Sequence, residues 1–202
     1  MARARVVVLV SGGGTNLQAL IDATAHADYP ANVVAVGADR PDIAALDRAT
    51  AAGIPTFVAA PEQYPDRHAW DRALAEATMA YRPDLVVLAG FMRLVGPALL
   101  EQLPHQVINT HPALSPAFPG MHGARDALDY GVKITGCTIF VVDTGVDTGP
   151  IVAQVAVPVL DDDDPVRLHE RIKERERELL VKTVAELVTG TYRIEGRKVV
   201  RT

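Results

Sequence analysis

The chain has 202 residues, 49% of them hydrophobic, which is enough to bury a real core in one ordinary domain and excludes a disordered chain. Twenty Lys and Arg stand against 25 Asp and Glu, a formal net charge of −5. The basic residues are spread thinly instead of forming a stripe, which argues against a nucleic-acid binder but leaves single cations free to grip a small anion.

The opening Met1-Ala2-Arg3-Ala4-Arg5 and the apolar Val6–Val10 superficially resemble a leader. Five apolar residues ending in Ser-Gly-Gly-Gly are too few for one, so a first strand is expected there. No segment approaches the roughly 20 apolar residues of a membrane span. A soluble cytoplasmic protein is the expectation. Strands and helices then alternate. Leu17–Ala25 reads as a helix and Asn32–Ala38 as a second strand. Pro41 suits the first turn of a helix that Gly53 closes. Thr56–Ala59 is a short strand, and Arg67–Tyr81 a helix that Pro83 prevents from running on. Leu85–Ala89, a short helix Pro97–Leu103 and strand Val107–Thr110 follow.

This β-α-β rhythm predicts an α/β fold with a mostly parallel, twisted sheet and helices on both faces. Ligands of such sheets bind beyond the carboxyl ends of strands, which directs attention to Ser11–Asn16, Gly90–Arg93 and Asn109–Gly123. The rhythm changes after residue 123. Gly136–Val142 and Ile151–Val159 read as strands joined by a loop rich in Asp, Thr and Gly, giving an antiparallel C-terminal part. Asp161–Asp164 and Pro165 open a long helix to about Val188, with the acidic run placed where the macrodipole favours it. A hairpin of Tyr192–Ile194 and Lys198–Arg201 closes the chain.

Four features carry chemistry. Ser11-Gly12-Gly13-Gly14-Thr15-Asn16 joins a strand to a helix, and its backbone amides suit a phosphate as well as they suit a plain turn. No lysine follows the glycines, and the third glycine of the dinucleotide pattern would fall at Leu17, so neither a triphosphate loop nor NAD binding is indicated. In Asn109-Thr110-His111-Pro112, residues two apart on a strand point to one side, bringing an amide beside an imidazole. Acyl transfer uses such a pair to stabilise an oxyanion and to move a proton. The same pair also serves in loop capping. Asp147 sits in a tight Asp143–Pro150 loop, where it either favours the protonated form of His111 or makes a turn. On the last helix Leu168, Ile172, Leu179, Leu180, Val184 and Leu187 form a core-facing stripe. Glu176 falls on that stripe and requires either a structural partner or a polar pocket. The six histidines form no metal-ligand pattern, so no metal is expected. Cys137, the only cysteine, permits no internal disulfide and reads as a core residue.

The stretches VVVLVSGGGTNLQAL, DLVVLAGFMRLVGP, INTHPALSPAFPG and VVDTGVDTGPIVAQ together resemble the glycinamide ribonucleotide formyltransferases, folate-dependent enzymes of purine synthesis. The resemblance spans nearly the whole chain. It implies a single Rossmann-like formyltransferase domain over 1–202, with a phosphate-binding half of about 1–105 and a catalytic, folate-binding half of about 106–202. It implies 10-formyltetrahydrofolate as co-substrate and phosphoribosylglycinamide as acceptor. No nucleic-acid or membrane partner is implied, and the chain would be a monomer or homodimer. Gly14, Thr15, Asn16 and Glu176 would hold the acceptor. Arg67, Met92, Arg93, Leu94, Val95, Asn109, Asp143, Thr144, Gly145, Val146 and Asp147 would line the folate site. Asn109, His111 and Asp147 would be the catalytic trio. Phe140 and Arg177 stand where relatives often carry histidine, and Ser115 where leucine is usual. Rival expectations are methionyl-tRNA formyltransferase, a formyl-folate hydrolase, a sugar-nucleotide formyltransferase, or a silent folate- or nucleotide-binding protein.

Overall fold

The computed structural model describes residues 2–201; Met1, the first residue of the leader-like segment, and Thr202 lie outside the described residues. The chain forms two compact units, Met1–Ile108 and Asn109–Thr202.

In the first unit, β1 (Ala4–Val10), β2 (Ala31–Ala38), β3 (Thr56–Val58) and β4 (Leu85–Leu88) stand in the order β3-β2-β1-β4. All three pairings are parallel. Val6 to Val10 are no more than 1% exposed, as their unbroken apolar, valine-rich run requires of a strand covered on both faces. Helices α1 (Thr15–Thr24), α2 (Ala44–Ala51), α3 (Arg67–Met79) and α4 (Pro97–Leu100) connect the strands. The chain builds outward from β1 through β2 to β3, then returns to lay β4 on the other side of β1. Strand order therefore reverses between β1 and β4, and the loops after those two strands flank the crevice where such sheets take their ligands.

One boundary differs from expectation. Pro41 lies before its helix, not in its first turn, because Asp42 adopts a left-handed φ of 55° and α2 starts only at Ala44. The far end agrees: Gly53, at φ 68°, follows the last turn and donates to Thr50 O at 3.0 Å.

The chain passes between the units along β5 (Val107–His111). The second unit carries β6 (Ile134–Val141) and β7 (Ile151–Pro158), paired antiparallel from Ile134↔Pro158 onward. The hairpin β8 (Tyr192–Glu195) and β9 (Lys198–Arg201) attaches through β9, which is parallel to β7. Helix α6 (Pro165–Thr189) lies against β6 and β7. Asp164 caps it by accepting from the amides of Val166 and Arg167, each at 2.9 Å. Leu168 and Ile172 meet Ala124, Cys137 and Val157 in one buried cluster. Burial pushes the Cys137 thiol up to about 12, with the nearby Glu176 charge adding to it, so this cysteine is an inert core group.

Helix α5 (Gly123–Tyr130) was not anticipated. Its apolar face is only Ala124 and Ala127 with half-buried Leu128, too narrow to stand out beside the Pro- and Gly-rich run before it. Its one clear sequence mark is Gly131 at φ 82°, which closes the helix in the left-handed conformation. Among the described residues no helix is long and apolar enough to cross a membrane. Among the same residues no group of three or more His, Cys, Asp or Glu is placed to hold a metal.

Candidate active site

Two groups of candidate residues sit at strand ends, one in each unit. In the first, the loops after β1 and β4 are tied across the point where strand order reverses. Ser11 N donates to Gly90 O at 3.2 Å, and Met92 N donates to Ser11 Oγ at 2.8 Å. Asp39, just past β2, has a fully buried carboxylate that accepts from Arg93 Nε at 2.9 Å and from Arg40 Nη2 at 3.1 Å. Burial alone would raise its pKa, but hydrogen bonds from Arg40, Ser11 and Arg93 outweigh that and hold the carboxyl below its ordinary range.

Helix α3 supports the same loop from another side. Asp66 caps α3 by accepting from Ala69 N at 2.7 Å. Arg67 donates to Leu94 O and lies over the Trp70 ring, 4.7 Å from its centroid. One turn on, buried Asp71 accepts from Gly96 N at 2.8 Å and Ala98 N at 3.1 Å. The result is a braced segment in which Val95 is buried while Met92 and Leu94, on either side of Arg93, are about half exposed.

Thr15 is exposed and Asn16 is buried in the first turn of α1. Gly14, the N-cap of that helix, adopts a left-handed φ of 72° and makes no side-chain cap. A Cβ at Gly14 would lie 2.7 Å from Ala45 Cβ. That position needs glycine for both backbone and space.

In the second unit, β5 carries half-buried Asn109 and, two residues on, His111, which is 3% exposed. His111 Nδ1 lies 3.4 Å from Asp147 Oδ2, and its Nε2 lies 2.8 Å from Phe118 O. Both neighbours are acceptors, so only the doubly protonated ring can donate to both. Asp147 Oδ2 also accepts from Gly120 N at 2.7 Å. Phe118 and Asp147 each hold a left-handed φ of 53°, the backbone cost of turning a carbonyl and a carboxylate toward one imidazole.

The rest of the Asp143–Asp147 stretch shapes that loop. Asp143 Oδ1 accepts from Gly145 N at 3.0 Å and from Thr148 Oγ1 at 2.6 Å. A Cβ at Gly149 would fall 1.7 Å from Val141 O, so the loop returns to β7 only with glycine there. Thr144 and Val146 are exposed. Glu176 is 5% exposed within the apolar stripe of α6. Phe140 is buried opposite Ile151, and the Ser115 hydroxyl is buried with no hydrogen-bond partner among the described residues. Arg177 is half-buried on α6.

The structure thus brings His111 and Asp147 together, ties Arg67 to the Met92–Val95 segment at Leu94 O, and ties that segment's Arg93 to Asp39. Sequence reasoning missed Asp39 and Asp71 and did not single out the Ser11 side chain. The signal for Asp71 was available: it neighbours Trp70 on the buried face of α3, the same kind of misplaced acid that marked Glu176.

Residues 4–184 match the formyl transferase family. The chain is 56% identical over 196 residues to a phosphoribosylglycinamide formyltransferase of Mycobacterium tuberculosis, covering 97% of this chain and 90% of that protein. Among solved structures it resembles glycinamide ribonucleotide transformylase 1 of Symbiobacterium toebii, with TM-score 0.95, 45% identity, and 98% and 93% of the two chains covered. Phosphoribosylglycinamide formyltransferase of Brucella melitensis superposes with TM-score 0.88 at 39% identity, over 94% of this chain and 97% of the other.

Proposed function

The chain belongs to the formyl transferase family, and from that premise we propose that it moves the formyl group of 10-formyltetrahydrofolate onto the amine of phosphoribosylglycinamide, a step of purine synthesis. The observation that carries this reading is the imidazole of His111 held 3.4 Å from the Asp147 carboxylate, two residues along one strand from Asn109. The bound formyl-folate supplies an acyl carbon attached to a nitrogen leaving group. The chain's own groups then have separable tasks.

Asn109 donates its side-chain amide to the formyl oxygen as negative charge develops there. His111, protonated, stabilises the same charge. Asp147 keeps the ring charged and oriented, and aligns a water that carries the proton from the attacking amine to the departing nitrogen. The acceptor amine must arrive neutral to attack. Gly14, Thr15, Asn16 and Glu176 hold the acceptor. Arg67, Met92 to Val95, Asn109 and the Asp143–Asp147 loop receive the folate. Half-exposed Met92 and Leu94 around cationic Arg93 suit a flat, partly apolar ligand that also carries negative charge. No metal takes part in this scheme. It describes a cytoplasmic enzyme of small molecules, acting as a monomer or homodimer.

Incubating the purified protein with 10-formyltetrahydrofolate, with and without phosphoribosylglycinamide, tests the reading. Folate deformylation that requires the glycinamide and yields its formyl derivative is expected. Formate release without acceptor would mark a hydrolase. Transfer to a sugar nucleotide would mark that branch, and binding without turnover would mark a silent ligand-binding protein.

A further inference from the structure

We infer that Arg48 of α2 is a positioning residue for the anion-binding loop, holding its peptides so that their N–H groups face the substrate phosphate. The inference rests on the transferase reading for the identity of that anion, and on the following geometry for everything else.

Ala45 and Arg48 lie three apart on α2 and so share a face of the helix. Ala45 N donates to Gly12 O at 3.1 Å. Arg48 Nε donates to Gly13 O at 2.9 Å, and its Nη1 donates to Gln18 Oε1 of α1 at 3.1 Å. The Ala45 side chain fills the space where a Cβ on Gly14 would stand. Two consecutive carbonyls of the loop are therefore drawn toward α2. In a planar trans peptide the N–H points opposite to the C=O. With the oxygens of Gly12 and Gly13 turned to α2, the amides of Gly13 and Gly14 point away from it.

The loop is also open at its first two glycines. A Cβ added at Gly12 or Gly13 would meet nothing within 4 Å. The first turn of α1 opens there too, its N-cap making no side-chain cap bond. Backbone donors and the positive end of a helix thus meet in open space, with α2 as the back wall. Arg48 contributes without touching the phosphate. It keeps the Gly13 carbonyl, whose lone pairs would repel an anion, turned outward, and it adds a positive charge behind the loop. Without it, the peptide between Gly13 and Gly14 is free to rotate. Arg48 also sits in the last turn of α2, where any cation suits the macrodipole. A role confined to helix stability would not affect one substrate selectively.

The test compares Arg48→Met, which keeps the aliphatic stem, with Arg48→Lys, which keeps a cation able to reach Gly13 O. For Arg48→Met the KM for phosphoribosylglycinamide is expected to rise about tenfold, the scale of a hydrogen bond from a charged donor. The KM for formyl-folate and kcat should stay within about twofold, and Arg48→Lys should recover most of the loss. An unchanged acceptor KM, or equal rises in both KM values with a lower melting temperature, would overturn the role. Stabilisation by inorganic phosphate, read as a rise in melting temperature, tests the loop without turnover. If the wild type gains stability from phosphate and Arg48→Met does not, the positioning role stands even where no formyl transfer is detected. Equal gains in both proteins would remove it.

Discussion

The loop after β1 and the end of β5 are both strand ends shaped by left-handed residues, yet they present opposite kinds of chemistry. At Gly12–Asn16 the groups proposed to meet the ligand are mainly backbone amides, and helix α2 holds the peptides in place through the Ala45 amide and the Arg48 side chain. At His111 and Asp147 the groups proposed to act are side chains, and backbone elsewhere holds them in place, Phe118 O beside the imidazole and Gly120 N donating to the carboxylate. A site built of amides depends on conformation, so it is damaged by a substitution that alters shape. A site built of imidazole and carboxylate depends on identity, so a substitution that leaves the fold intact still abolishes it.

The sharpest break in that contrast is at the imidazole. His111→Ala should lower kcat at least a hundredfold, and Asn109→Ala should cost on the order of 3 kcal/mol of transition-state stabilisation. Melting temperature should shift far less than rate. Steady-state turnover of the purified variants checks both, and near wild-type kcat would remove these residues from the chemistry. The opposite signature belongs to Gly14→Ala. A Cβ there is strained at φ 72° and collides with Ala45, so a loss of about 1–3 kcal/mol in unfolding free energy is expected together with weaker binding of the phosphorylated acceptor. Urea denaturation alongside acceptor KM reads both effects, and a fully stable Gly14→Ala would mean that the loop does not need its left-handed turn.

Asp39 refines the comparison because a buried charge there holds other side chains, those of Arg93, Arg40 and Ser11. Its folded pKa is depressed below the ordinary 3.8, so its contribution to stability is present above that value and lost as pH falls through the lower folded pKa. Asp39→Asn should be less stable than the wild type at neutral pH, and that deficit should shrink on acidification between about pH 5 and 2. Melting curves across that range check it, and a deficit independent of pH would show that the charge is not what ties Arg93 and Ser11. The smallest effect is expected at Lys133, whose 3.0 Å pair with Asp161 joins side chains 79% and 95% exposed. Lys133→Ala should leave melting temperature and kcat unchanged, since exposed pairs contribute little.

Much of this was legible in the residues. The continuous, valine-rich apolar run before the glycines was too short for a leader and read as a covered strand, and Glu176 announced itself by breaking an apolar stripe. Helix α5 stayed hidden because alanines give a narrow apolar face. Pro41 misled because a proline that suits a helix start suits a turn equally well, and Asp42 decided between them. Asp71 followed the same logic as Glu176, one residue from a tryptophan, and went unread.

By itself the sequence determined the alternation of strands and helices, the strand ends at which sheets of this kind take ligands, and the residue types that make acyl transfer chemically possible. Local periodicity and turn chemistry act over a few residues, so they are written locally. Only the tertiary structure decided that residues 111 and 147 meet, that Phe118 O lies on the other side of the imidazole, and that α2 backs the glycine loop. Those pairings join segments far apart in the chain. They are set by how sheets and helices pack once the whole core is buried, a property that no short stretch of residues contains.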